Sequence, residues 1–342
     1  MRLTDFQFEL PAHLIARYPL PVRSASRLMY LNGTHGQILH RQFKDVIEWI
    51  EEEDLLIFND TKVIPARLFG QKTTGGQVEL LVERILDDER IFAQIRVSKP
   101  PRMGDYLLFD DDFALEVTQR HHQFYELRYH GKRGTVLQRI EDIGQIPLPP
   151  YMHRVPDESD KERYQTVYAR HKGSVAAPTA GFHFDETLLD KLRDKKVRMG
   201  YLTLHIGAGT FAPVRVDDIR DHQMHSEYLD VPEHLCELIK ETKARGKRVI
   251  AVGTTSMRAL ETASQSGVIE AYCGETNIFI YPGYRFKTVD ALITNLHLPG
   301  STLLMLVSAF AGYENVMRAY REAVLNQYRF YSYGDAMFMT RR

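Results

Sequence analysis

The sequence predicts an α/β fold in which a three-layer α/β/α domain is interrupted by an inserted small antiparallel β-barrel. Three observations carry this expectation. Short apolar runs at 55–58, 202–206, 249–252, 278–281 and 291–296 alternate with helical stretches, as strands buried between helix layers do. From Ile64 to Pro150 the texture changes to short alternating segments separated by turns. Buried-type strands flank that region on both sides, so it reads as an insertion. The expected division is 1–63 and 153–342 for a discontinuous α/β/α domain and 64–152 for the barrel.

Residues 1–30 include Tyr18-Pro-Leu-Pro, which cannot be a helix interior, and the cluster Arg23-Ser-Ala-Ser-Arg27, either an anion-binding loop or a solvated connector. Leu28 to Leu31 reads as a strand, and Phe43 to Trp49 has helical spacing. The run Leu55-Leu-Ile-Phe58 then reads as a strand buried on both faces. It stops at Asn59-Asp60-Thr61-Lys62, the carboxyl end where open α/β sheets bind ligands; an ordinary Asn/Asp turn is the alternative.

The barrel expectation rests on Gln77–Glu83, Ile91–Val97, Tyr106–Phe109, Phe113–Val117 and Phe124–Tyr129, five or six short strands at roughly 8–12-residue spacing. A Pro-rich connector, Ile146 to His153, follows, and Asp157 to Arg170 is a charged helix candidate. Ser174 to Phe184 is made of small residues before Phe182-His183-Phe184, and a helix from about Asp185 to Lys195 comes next. Such a loop before a helix N-terminus suits an anion or a flat ring, or simply packs tightly.

The stretch Leu202-Thr-Leu-His-Ile-Gly-Ala-Gly-Thr-Phe-Ala-Pro-Val-Arg215 runs from a strand into Gly207-Ala-Gly-Thr210. Glycines there let a ligand approach the backbone, and His205 beside them carries the one common side chain that titrates near neutral pH. A tight turn with a packing histidine explains the same residues. His222 and His225 have no third defined ligand, so a metal site is not expected. After a helix from about Glu233 to Arg245, Arg248 to Glu261 reads as strand, hydroxyl-rich turn and helix, with Thr254, Thr255 and Ser256 at the helix N-terminus. It lacks a Walker A lysine and is no dinucleotide fingerprint. Ile278–Tyr281 and Ala291–Leu296 read as strands, and helices are expected from Pro299 to Ala311 and from Glu314 to Tyr328.

Among the 342 residues, 44 Lys+Arg balance 45 Asp+Glu, so no basic excess advertises nucleic acid, although a local basic face would suffice. Two cysteines exclude a disulfide framework and a Cys-based zinc site. The opening residues do not resemble a signal peptide, and no apolar run approaches the roughly 20 residues of a membrane span. The expectation is a cytoplasmic protein, acting as a monomer and away from membranes.

Six motifs add up to a resemblance that covers essentially the whole chain. Asn59–Arg67, Ala177–Phe184, Leu204–Phe211, Gly253–Glu261, Thr294–Thr302 and Tyr333–Met337, in this order, resemble the S-adenosylmethionine:tRNA ribosyltransferase-isomerases of queuosine biosynthesis. The resemblance implies an α/β domain interrupted by a β-barrel. It also implies a reaction: the ribosyl part of S-adenosylmethionine is transferred to 7-aminomethyl-7-deazaguanine at the tRNA wobble position and rearranged. Epoxyqueuosine-tRNA, adenine and methionine are the products. S-adenosylmethionine is then a consumed substrate, and no cofactor or metal is required.

That chemistry needs a base of pKa near 7 for the carbon beside the sulfonium, help for departing adenine, a neutral wobble amine, and carboxylate or aromatic faces around the sulfonium. The expectation gives proton transfer to His205 and His183, with His297 a further candidate in the substrate site. Asp60 or Asp335 would hold the amine or a ribose hydroxyl. Gly207, Gly209 and Thr210 would admit the ligand, while Thr254, Thr255, Ser256 and Arg258 would bind the methionine carboxylate or a phosphate. Asn59, Thr179, Gly181, Phe182 and Glu261 complete the expected substrate site. The densest basic group, Arg128, Lys132, Arg133, Arg154, Arg163, Arg170 and Lys172, is expected to hold the RNA. A methyltransferase-like enzyme and a non-enzymatic RNA-binding module are the alternatives.

Overall fold

Leu55–Asn59 forms a strand in which every residue is buried, and the architecture is built outward from it. The structure is a computed structural model that describes residues 1–211 and 214–342; Ala212 and Pro213, within the stretch expected to bind ligand, lie outside the described residues. In chain order the strands are β1 (Arg27–Leu31), β2 (Ile38–Gln42), β3 (Leu55–Asn59), β4 (Thr61–Val63), β5 (Arg67–Lys72), β6 (Gln77–Ile85), β7 (Arg90–Val97), β8 (Tyr106–Asp110), β9 (Phe113–His121), β10 (Phe124–His130), β11 (His171–Ser174), β12 (Arg198–His205), β13 (Glu227–Val231), β14 (Val249–Val252), β15 (Tyr272–Thr276), β16 (Ala291–Asn295) and β17 (Ala336–Thr340). The helices are α1 (Val136–Ile143), α2 (Asp160–Arg163), α3 (Glu186–Asp194), α4 (Glu233–Ala244), α5 (Thr254–Ala263), α6 (Thr302–Ala311) and α7 (Tyr313–Leu325).

Among the described residues, nine strands form one sheet in the order β15-β13-β12-β3-β14-β16-β17-β1-β2. The central run β12-β3-β14-β16 is parallel, and antiparallel strands finish both edges. The period-2 alternation of side chains sorts the sheet into two cores. Leu55, Ile57, Val249 and Ala251 pack with the buried faces of α4, α5, α6 and α7. Leu56, Phe58, Ile250 and Val252 pack on the other side with Phe43, Val46 and the α3 residues Leu188, Leu189 and Leu192. These are the three expected layers.

Strands β5 to β10 close into a barrel in the order β10-β7-β6-β5-β8-β9. The chain leaves the sheet through β4 and returns through β11, and these two pair in parallel, so the entrance and exit of the barrel are tied together. Val175 and Ala208 pack into the barrel's apolar core, which seats the barrel on the carboxyl ends of the sheet strands.

Two expected elements differ. Ile278–Tyr281 is not a strand: its side chains pack on the helical layer, with Phe279 against His222 and Tyr281. The edge strand is instead Tyr272–Thr276, whose half-exposed pattern carries no apolar run because one side faces solvent. Of the charged segment Asp157–Arg170, only Asp160–Arg163 is helical. Buried Tyr164 and Tyr168 then anchor irregular backbone. Among the described residues, no helix is long and apolar enough to cross a membrane.

Candidate active site

Because β12, β3, β14 and β16 are parallel, Asn59, His205, Val252 and Asn295 end on one edge of the sheet. The segments following β12, β14 and β16, with Ala176–Ala180 and the tail at Tyr331-Ser332, enclose a cavity of about 550 Å3. This is the position and size expected of a small-molecule site in an open α/β sheet. Thr179, Thr210, Thr254, Thr255, Arg258 and His297, all anticipated from sequence, line it.

Gly253 begins α5 with φ of +93°, a backbone conformation that favours glycine, and so turns the chain from β14 into the helix at the cavity wall. One turn into α5, Arg258 is buried and forms an ion pair with the buried carboxylate of Glu227 on β13. Arg258 Nη2 and Thr255 Oγ1 have no hydrogen-bond partner among the described residues, and both side chains line the cavity. Buried polar groups are ordinarily satisfied, so these two are candidate positions for an incoming ligand group.

The opposite wall is aromatic. Tyr151, from the Pro-rich connector, stacks on Tyr331 with ring centroids 3.7 Å apart, and Tyr151 Oη is hydrogen-bonded to Ser332 Oγ. Between the walls lies Asn295. Its Nδ2 donates to the carbonyls of Tyr331 and Ser332, and its Oδ1 accepts from Thr179 Oγ1 at 3.1 Å. His297 Nε2 lies 2.8 Å from Thr294 Oγ1, and burial pushes its pKa down to about 3.

His205 belongs to a second, smaller cavity of about 400 Å3, lined also by Glu83, Gly173, Gly207, Glu227 and Tyr228. Its Nδ1 is 2.7 Å from Thr61 Oγ1, and its ring lies nearly parallel to Tyr228. Burial, then the charges of His171 and Arg84, push its pKa down to about 4. The imidazole is therefore neutral at pH 7 and does not titrate near neutrality. Glu83 is the group that does: burial, opposed by the Ala208 N–H and reinforced by Glu227, pushes its carboxyl up to about 7. Glu227 lines both cavities and joins them.

Several anticipated residues hold the frame of the site. His183 is fully enclosed. Its Nε2 faces the Asn295 amide at 3.2 Å and its Nδ1 faces Ser26 Oγ at 2.7 Å, and burial, with Arg329 and Arg23, pushes its pKa down to about 3. Asn59 clamps β12 by donating to the Leu204 carbonyl and accepting its N–H. Asp335 accepts the backbone N–H groups of Arg27 and Arg329. Glu261 accepts those of Lys287, Thr288 and Val289, and Ser256 donates to the Val252 carbonyl. Asp60 accepts from Thr203 Oγ1 at 2.7 Å, and burial raises its pKa. A Cβ at Gly181 would strike Tyr168 Oη, and one at Gly209 the His225 ring. Phe182 packs between Tyr164 and Tyr333. Among the described residues, no group of three His, Cys, Asp or Glu side chains is placed to hold a metal ion.

The basic group divides over three parts of the fold. Arg128, Lys132 and Arg133 are exposed on the barrel. Arg170 and Lys172 are exposed beside and on β11, with Lys172 paired to Glu141 at 2.6 Å. Arg154 is spent internally: its guanidinium grips the buried Asp160 carboxylate at 2.5 and 2.7 Å. Arg163 donates to the carbonyls of Leu20 and Pro21.

Sequence reasoning singled out neither Glu83, Tyr151 nor Tyr331 as site residues. Glu83 occupies an outward position in an alternating barrel strand, and its pattern carries no sign of burial. The two tyrosines are 180 residues apart, and only a connector and a tail rich in Pro and aromatic residues hinted at them.

A family model described as Queuosine biosynthesis protein matches residues 3–339. Among solved structures, the chain is similar to the crystal structure of an S-adenosylmethionine tRNA ribosyltransferase from Thermotoga maritima, at 36% identity over 98% of this chain and 99% of that one, with a TM-score of 0.57.

Proposed function

The chain belongs to the queuosine biosynthesis protein family and is a transferase, and on that premise we propose that it transfers and isomerises the ribosyl moiety of S-adenosylmethionine. The acceptor is 7-aminomethyl-7-deazaguanine at the wobble position of tRNA; the products are epoxyqueuosine-tRNA, adenine and methionine. S-adenosylmethionine is consumed, and no resident cofactor is needed.

One observation carries this reading: the larger cavity offers unpaired donors at Arg258 and Thr255, a carboxylate at Glu227 and an aromatic wall at Tyr151 and Tyr331. S-adenosylmethionine presents a carboxylate for the donors, a sulfonium for the carboxylate and aromatic faces, and an adenine for the flat wall. Thr179, Thr210 and Thr254 complete the polar lining, and His297 stands where a hydrogen bond to the ligand is within reach. His205, neutral and held by Thr61, is a hydrogen-bonding group at the second cavity; His183 fixes Asn295 from behind. The exposed cations of the barrel and of β11 are the RNA-holding surface in this reading, with the working unit a monomer.

The test is to incubate the protein with S-adenosylmethionine and tRNA carrying the aminomethyl base. Free adenine with methionine is the expected result. S-adenosylhomocysteine would mean methyl transfer instead, and neither product would mean a binding protein. If His205→Ala and His183→Ala both kept wild-type single-turnover rates with saturating tRNA, proton transfer or its positioning by these histidines would be refuted.

A further inference from the structure

Glu83 lies in barrel strand β6, at a break in its pairing. The pairing of β6 with β7 shifts register between Val82 and Arg84, a bulge that places Glu83 as the extra residue. A bulge re-aims a side chain, and here it turns the carboxylate toward the loop after β12. Its Oε2 accepts the Ala208 N–H at 2.7 Å. The approach depends on glycine, because a Cβ at Gly207 would overlap the Glu83 carboxylate. The carboxylate therefore stands at the junction of barrel and sheet, in the wall of the smaller cavity, with Glu227 between it and the larger one.

The charged and titratable groups around it are few. Arg84 on the same strand is engaged by Glu275. From β13 come Tyr228 and Glu227, the latter paired with Arg258, and from β12 comes the neutral His205. His171, on β11, is next to His205. No cation of this chain, among the described residues, forms a salt bridge with Glu83, so a cation brought by the substrate would be its natural partner.

We propose that Glu83 receives the proton of the substrate's primary ammonium, with the aminomethyl group of the base seated in the smaller cavity. This inference rests on the transfer reaction proposed above. A primary alkylammonium is charged at neutral pH and has no lone pair with which to attack. In the step assigned to Glu83 one N–H bond breaks and one O–H bond forms. The electron pair stays on nitrogen as the nucleophile, the carboxylate becomes a neutral carboxylic acid, and the proton later returns to solvent. A carboxylate held near pH 7 does this; one in the ordinary range would hold the ammonium as an ion pair.

The decisive variant is Glu83→Gln, whose amide oxygen still accepts the Ala208 N–H. Single-turnover ribosyl transfer is measured between about pH 6 and 9 at saturating S-adenosylmethionine and tRNA, with thermal melting as a check on folding. The wild type is expected to show a rate that rises through about pH 7. The variant is expected to be about 100-fold slower at pH 7, with its rise displaced to higher pH, where the ammonium loses its proton to solvent unaided. Its KM for S-adenosylmethionine should be unchanged. Glu83→Asp should keep the wild-type profile shape at a lower rate. A folded Glu83→Gln enzyme with the wild-type pH limb, at any rate, overturns the proposal. If the wild type itself forms no ribosyl product, the transfer reading has failed, and the Glu83 assignment falls with it.

Discussion

Arg258 and Glu227 form an ion pair in which each side chain is only 7% exposed. Removing one member leaves the other buried and charged, which typically costs roughly 3–5 kcal/mol, whereas replacing both with apolar groups can be nearly neutral. Arg258→Ala should therefore lower the melting temperature strongly. The double variant Arg258→Met with Glu227→Leu should recover much of that stability and remain inactive. Melting curves together with adenine release check both, and recovery of activity in the double variant would count against a role in binding.

Gly207→Ala should separate stability from activity. The added methyl meets the end of the Glu83 side chain, which can swing away, so the fold should lose no more than about 1 kcal/mol. The carboxylate, however, leaves its place beside Ala208. Single-turnover rates should fall to the level of Glu83→Gln, and an undiminished rate would show that the glycine has no part in placing it.

Glu83 should also weaken the fold at neutral pH. Its folded pKa, about 7, lies above the ordinary 4.5. The native state then binds more protons than the unfolded chain between these values, and stability falls as pH rises through that window. Glu83→Gln removes the effect. It should be more stable than the wild type at pH 8, by on the order of 1–3 kcal/mol, and show a smaller gain at pH 5. Urea melts at the two pH values would read the difference.

The buried histidines act in the opposite sense. His183 and His297 have folded pKa values near 3 against an ordinary 6.5. Below pH 6.5 the unfolded chain takes up protons that the native state refuses, so stability is full above that pH and declines toward about pH 3. The slope should approach about 1.4 kcal/mol per pH unit for each histidine. Replacing His297 with Gln should flatten the curve of urea midpoint against pH; an unaltered slope would show that His297 is solvated.

The basic residues should divide by function. Reversing the charges of Arg128, Lys132 and Arg133, exposed on the barrel, should raise the KM for tRNA. It should also make the salt dependence of binding shallower, by about 0.7–0.9 in the log–log slope for each phosphate that is no longer neutralised. Arg154→Glu should instead melt the connector region, because Asp160 is buried beneath it. Binding isotherms across a salt series, beside melting curves, distinguish the two.

The sheet was legible because a buried parallel strand favours unbroken apolar residues, and Leu55–Phe58, Val249–Val252 and Ala291–Ile293 each supply such a run. The strand-end loops were legible for a related reason: Gly253, Thr254 and Thr255 state locally how the chain turns into α5. Edge strand β15 was not, since its half-exposed residues need no apolar pattern. The place of Ala336–Thr340 within the sheet, between β16 and β1, depended on partners far away in sequence.

By itself, then, the sequence determined the layers, the barrel and the family resemblance, because these follow from local periodicity and short motifs. The tertiary structure alone decided how the site is charged. Burial lowered the pKa of His183, His205 and His297 below neutrality, and the same burial, with Glu227 nearby, raised Glu83 toward it. A pKa is a property of surroundings rather than of residue type, and the surroundings of Glu83 come from a barrel strand, a glycine 124 positions later and a strand beyond that.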